Sequence, residues 1–349
     1  MMNAPLPLPD TDAPGTTPGV VDREFPLMGT HMRLVIGAPA RPGIAPAQDA
    51  ADAVVAFLED YNERLSRFRP TSELSLLNAD PRTTVPASQL LRDAIRVALW
   101  TADRTHGLVD PTVLADLESA GYTESWDPKR RLDLRAALAG DRPAPRPATA
   151  RADAPWRLIS IDDDAGTITR PAGLRLDTGG TGKGHAAELA AAMLAGYDAW
   201  AMDCGGDLRI GGDAGVVRDV EVEHPFTGET LDTIQVRDGA VATSGLRSRI
   251  WRGEDGAVRH HLLDPSTGAP AFTGLVAVTA LAPNTVEAEA LAKAALLRGP
   301  DEARATLARH GGITVADDGT VERIGRLAPA PRVRLRLSAP PTTNARTAE

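Results

Sequence analysis

Cysteine is nearly absent from this chain. Cys204 is the one cysteine in 349 residues, which excludes an intrachain disulfide and a cysteine metal cage and leaves no mark of an oxidising compartment. Long apolar runs are missing too: no stretch approaches the about eighteen consecutive apolar residues that span a bilayer. No membrane insertion is predicted. The first residues, "MMNAPLPLPDTDAPGTTPGV", lack a basic segment and an apolar core, so they do not read as a secretory signal. Residues 1–22 read instead as a disordered, Pro-rich leader, and the expected location is cytoplasmic. Positive charge is also in short supply. With 38 Lys and Arg against 47 Asp and Glu, the formal net charge is -9, which argues against a general affinity for nucleic acid or anionic lipid. Any phosphate ligand must be held locally. Aromatic residues make up only 4%, and no long apolar segment advertises a permanent partner.

What is present is the composition of a folded chain, 42% hydrophobic and 24% charged. In "REFPLMGTHMRLVIGA" the alternation of Met32, Leu34 and Ile36 predicts a strand. "AQDAADAVVAFLEDYNERLSRF" spaces Ala51, Val54, Val55, Leu58, Tyr61 and Leu65 by three and four, which makes one apolar helix face. "ASQLLRDAIRVALWTADRTHG" repeats that pattern and closes at Gly107, a C-terminal cap. Residues 140–155 read as a Pro-rich surface loop or linker. "WRLISIDDDAGTITR" and "ITVADDGTVERIG" read as hairpins, with helices at about 182–196 and 285–298. Strands and helices that do not strictly alternate predict an α+β fold, of mixed or antiparallel sheets with packed helices, rather than a doubly wound parallel sheet. The main domain is read as 23–325, with a terminal strand and loose tail over 326–349.

The densest local signal is "LDTGGTGKGHAAELAAAML", residues 176–194, where four glycines and Lys183 meet a helix start. Glycines let backbone amides approach a ligand, and a helix N-terminus adds unpaired N–H groups and positive dipole. Such a turn suits a pyrophosphate. It is not a P-loop, because Asp177 and Gly184 replace the required Gly and Ser or Thr. It also lacks the spacing of a dinucleotide fingerprint.

Other short motifs flank it: "MDCGGDLRIGG" at 202–212, "VATSGLRSRIW" at 241–251, "HHLLDPSTGAP" at 260–270 and "NTVEAEALAKAALLRG" at 284–299. Asp207 reads as the residue that fastens its own glycine turn. Together with Met28-Gly29-Thr30, "LSRFRPTSELSLLN" and Asp110-Pro111-Thr112, these motifs resemble, in order over residues 25–300, the ApbE family of FAD:protein FMN transferases.

The resemblance implies binding of FAD, use of Mg²⁺, and transfer of the FMN half to a Thr or Ser hydroxyl of an acceptor protein with release of AMP. By matched position it implies a flavin site formed by Met28, Phe68, Leu108, Val109, Asp110, Gly179, His185, His261 and Leu262. His261 and Lys183 take the catalytic roles, and the metal falls at Gly182, Glu289 and the position of Lys293. That last position departs from the family pattern, since a charged lysine cannot coordinate magnesium, and a weakened Mg²⁺ dependence is expected. An FAD pyrophosphatase and a non-catalytic flavin-binding protein are the alternative readings. Asp110, the glycine loop, His261 and Glu289 should meet in one cleft.

Overall fold

Eight strands, each antiparallel to the next and arranged across the sheet in chain order, form the frame of the molecule. They are β1 (Val21–Leu27), β2 (Thr30–Ile36), β3 (Trp200–Cys204), β4 (Asp207–Gly211), β5 (Gly239–Gly245), β6 (Leu275–Ala282), β7 (Gly312–Ala316) and β8 (Val321–Ile324). The structure, a computed structural model, describes residues 20–140, 142–325 and 336–337.

Period-two alternation sends successive side chains to opposite faces of this sheet. Met32, Leu34, Ile36, Met202 and Cys204 enter one core with the helices α1 (Ala47–Leu65), α2 (Gln89–Arg104) and α3 (Gly182–Met193). Val35, Ala201, Leu208, Ile210 and Val241 enter a second core against the small sheet of Arg218–Glu223 and Thr230–Val236. A further helix, α4 (Thr285–Arg298), lies against β5 and β6. The antiparallel sheet, with helices on one face, is the expected α+β arrangement. The 285–298 helix and the 312–324 hairpin fall where the pattern placed them.

Two readings change. Strand β1 begins at Val21, inside the segment read as leader; its residues alternate only between exposed and half-buried, so the edge strand carries a weak apolar signal. Residues 1–19 lie outside the described residues, as does the tail, except that Arg336–Leu337 pairs in parallel with Asp219 and Val220. The 140–155 segment is mostly exposed, yet Ala148 is buried and donates to the Leu297 carbonyl at 2.8 Å, while Arg146 donates to Phe272. It is a strap fastened to the end of α4, and the core of α1, α2 and α3 runs across both sides of it.

Helices α3 and α4 touch at Gly184. Its N–H donates to Glu289 Oε2 at 3.1 Å and its carbonyl accepts from Thr285 Oγ1 at 2.7 Å. A Cβ here would lie 2.7 Å from Glu289 Oε2 and 3.0 Å from the Thr285 carbonyl oxygen. Gly184→Ala should therefore destabilise the fold by about 1–3 kcal/mol, against the gain of up to about 1 kcal/mol that alanine normally brings to a helix. Thermal unfolding of the variant gives the sign directly.

Candidate active site

A cleft of about 1050 Å³ opens above the N-terminus of α3, at the top of the size range of ligand sites. Met28, Phe68, Leu108, Val109, Asp110, Gly179, Gly182, Lys183, His261, Leu262 and Lys293 all line it.

Each reaches it for a local reason. Leu27 pairs with Thr30, so Met28 and Gly29 form a two-residue hairpin turn. Both have positive φ, 52° and 68°, as the right-handed twist of a hairpin requires. Met28 is thus held at the rim of the cleft in a backbone region costly for a side chain of its size. Asp110 Oδ1 accepts from the Thr112 N–H and hydroxyl at 2.8 and 2.6 Å, fixing the turn. Its Oδ2 is buried with no partner among the described residues. Burial raises the Asp110 pKa against the opposing Thr112 hydrogen bonds. The Pro111 carbonyl accepts from the Asp177 N–H at 2.8 Å, which stitches this turn to the glycine loop. The N-cap of α3, Thr181, offers no side-chain cap; in the first turn Gly182 donates to the Thr178 carbonyl and Gly184 to Glu289 Oε2, and the positive end of the helix dipole lies at the cleft.

Two expected residues lie elsewhere. His185 is buried behind the cleft, its Nδ1 3.1 Å from the Tyr61 hydroxyl. Two residues after Lys183, it stands about 200° around a 3.6-residue helix, so both cannot face the same ligand. Glu289 also sits behind the wall, 1% exposed, with Oε2 on the Gly184 N–H and Oε1 2.6 Å from Lys293 Nζ.

Asp207 corrects a further expectation. The glycine turn is fastened by Asp203, whose Oδ1 accepts from the Gly206 N–H at 2.7 Å. Alternation along β4 sends Leu208 and Ile210 to the far core and turns Asp207 toward α3, where it pairs with Lys183. Burial, reinforced by Glu289 and opposed by Lys183, lifts the Asp207 pKa to about 6. Lys183 lies 3.7 Å from Glu289 as well. Burial pulls its pKa down, but Asp207 and Glu289 outweigh that and hold it above the usual lysine value. For Glu289 the burial penalty is outweighed by Lys293 and Lys183, and the carboxyl is held below its ordinary range.

These four charges do not fit a magnesium ion. Mg²⁺ demands close octahedral oxygen coordination at about 2.0–2.1 Å. Both Glu289 oxygens are already engaged, one by an ammonium. Among the described residues no three His, Cys, Asp or Glu side chains gather as a metal site. Glu289 and Lys293, paired to each other, do not complete with Gly182 the magnesium site that the family resemblance implies.

His261 lines the cleft half-buried, and burial, with Arg249 and Lys293 nearby, pushes its pKa well below the usual histidine value. It is neutral at pH 7, and its Nδ1 is buried with no hydrogen-bond partner among the described residues. Its neighbour His260 is fully buried, edge-on to Phe272 at 4.8 Å between ring centres. Burial drops the His260 pKa to about 3, and burial lowers that of His185 as well.

A histidine whose pKa falls on folding binds more protons unfolded than folded below pH about 6.5. Stability should therefore fall as pH drops from 6.5 toward the folded values, by up to about 1.4 kcal/mol per pH unit for each such histidine. Denaturant titrations at pH 7 and pH 5 measure this. His260→Gln should be less stable at pH 7 but show a shallower acid slope; an unchanged slope removes His260 from the effect.

The sequence reading missed several lining residues. Tyr122 and Trp126 join Phe68 on one wall, with Tyr122 centred 5.4 Å from Phe68 and 6.4 Å from Trp126. The Arg67 guanidinium lies over both Phe68 and Tyr122 and 3.4 Å from Asp177. Two aromatics within "GYTESW", in a chain so poor in them, were the available signal. Arg249, just after the ATSG turn, lines the cleft without an ion pair to any described residue.

The sequence profile of the ApbE family matches residues 28–316. The chain belongs to the ApbE family. A relative from Treponema pallidum named FAD:protein FMN transferase is 28% identical over 311 residues, covering 81% of this chain and 82% of its own. One from Vibrio cholerae with the same name is 27% identical over 293 residues, covering 80% and 82%. Among solved structures, the ApbE protein of Thermotoga maritima superposes with a TM-score of 0.71 at 25% identity, covering 87% of this chain and 97% of its own. The motif-bearing residues of this family member are thus those around the cleft. No helix among the described residues is long and apolar enough to cross a membrane.

Proposed function

We propose that this chain transfers the FMN moiety of FAD to a Thr or Ser hydroxyl of an acceptor protein and releases AMP. One observation carries the reading: a neutral His261, the dipole end of α3 and the lysines 183 and 293 all border a single cleft of dinucleotide size. The shared name of the curated relatives supports it.

The aromatic wall of Phe68, Tyr122 and Trp126 offers stacking surface for flat rings. The glycine loop, Lys183 and Arg249 supply positive charge for the pyrophosphate. The acceptor oxygen forms a bond to the phosphorus of the FMN half. The bond from that phosphorus to the bridging oxygen breaks, and AMP leaves with that oxygen. The hydroxyl proton passes to His261. No step runs through a metal.

Incubating the full chain with FAD and an acceptor domain bearing the family's Thr-containing target motif, then weighing the acceptor, tests the reading. The expected result is an acceptor heavier by one FMN phosphoester, with AMP formed in equal amount. Free FMN on an unlabelled acceptor makes the chain an FAD pyrophosphatase, and intact FAD makes it a flavin-binding protein.

A further inference from the structure

Lys183 and Lys293 line the cleft, whereas their partners Asp207 and Glu289 do not and are each 1% exposed. The four alternate in sign: Asp207 with Lys183, Lys183 with Glu289 at 3.7 Å, Glu289 with Lys293 at 2.6 Å. The group is formally neutral, yet its two faces differ. A ligand in the cleft meets ammonium groups, and the carboxylates stand behind them. Arg249 adds a guanidinium on the same lining.

A divalent cation entering beside α3 and α4 would meet these fixed positive charges rather than the oxygens of Asp207 and Glu289, which are already paired; the cleft's own carboxylates, Asp110 and Asp177, lie on the separate Asp-Pro-Thr and glycine turns. A pyrophosphate would meet hydrogen-bond donors already oriented by buried acceptors. The i, i+4 spacing puts Glu289 and Lys293 on one face of α4. Glu289 is anchored to the Gly184 N–H, so it holds the Lys293 ammonium at the cleft wall and ties it to the glycine loop.

We infer that Lys183 and Lys293 together form a built-in cationic floor that binds the FAD pyrophosphate without a divalent metal ion, Lys293 standing where a metal would otherwise neutralise it. The inference rests on the reading of FAD as the ligand.

Its test is binding rather than turnover. FAD affinity of the full chain, read by flavin fluorescence or calorimetry, should be the same in EDTA as in excess Mg²⁺. Mn²⁺ added to the FAD-loaded protein should keep its free-ion electron paramagnetic resonance signal. Lys293→Met should weaken FAD binding in EDTA by roughly 10–100-fold, the loss of one charge-assisted contact. Lys293→Thr, which removes the ammonium and leaves a neutral oxygen, should bind FAD weakly in EDTA and regain affinity with Mg²⁺. Circular dichroism of both variants separates lost binding from lost folding, and the wild-type measurements need no variant. Wild-type binding that collapses in EDTA and returns with Mg²⁺, or Mn²⁺ immobilised by the wild-type complex, overturns the inference. Metal-independent FAD binding with no acceptor labelled would sink the transferase reading and leave the cationic floor standing. Labelling that strictly needs Mg²⁺ for FAD to bind would do the reverse.

Discussion

Replacing His261 with alanine is expected to slow FMN transfer by roughly 10²–10⁴-fold, the usual contribution of a general base, with FAD affinity nearly unchanged. The imidazole borders the cleft, and burial together with the positive charge of Arg249 and Lys293 keeps it neutral. It therefore holds a free lone pair at pH 7, which a histidine of ordinary pKa would already share with protons slightly below that pH. Its depressed pKa places the acid limb of the transfer rate below pH about 6.5, the ordinary histidine value. Affinity and rate must be measured separately. A parallel fall in both would make His261 a binding residue, and undiminished turnover would remove it from the chemistry.

Lys183→Met is expected to abolish transfer and also to destabilise the protein by about 3–5 kcal/mol, because it strands a buried carboxylate. Asp207 is 1% exposed, and Lys183 is the ammonium that pairs with it. Without that partner, burial and Glu289 both push the Asp207 pKa further up, and the side chain must take a proton or remain an uncompensated charge. The double variant Lys183→Met/Asp207→Asn removes both charges together and should recover much of the stability, since Glu289 keeps Lys293. Transfer should not return, because the positive charge at the cleft is still missing. Denaturant unfolding and acceptor mass spectra give the two readouts. Equal stability of the single and double variants would mean that the pair is not coupled.

Much of the site was legible in the chain because turn chemistry is local. A Met-Gly pair between alternating strands, an Asp-Pro-Thr turn and a glycine loop before a helix each impose their backbone on any fold that contains them. Met28, Phe68, Leu108 to Asp110, Gly179, Lys183, His261 and Leu262, which the family resemblance named rather than turn chemistry alone, line the cleft. Helix α4 covers Thr285–Arg298, matching the expected span of about 285–298, and the structure shows Asn284 as its N-cap. Facing was less legible. Helical rotation carries His185 away from Lys183 and into contact with Tyr61, 124 residues earlier in the chain.

The sequence by itself determined the main strands and helices and the order of the eight motifs, because hydrophobic period and turn residues act over a few neighbours. Only the tertiary structure decided which charges meet. Strand alternation turned Asp207 onto Lys183 rather than onto its own turn, and the close approach of α3 and α4 at Gly184 drew Glu289 behind the wall. That leaves Lys293, rather than its partner Glu289, on the cleft lining. Pairing among four buried charges depends on separations of a few ångströms between segments up to 110 residues apart, such as Lys183 and Lys293, and no local pattern encodes such a distance.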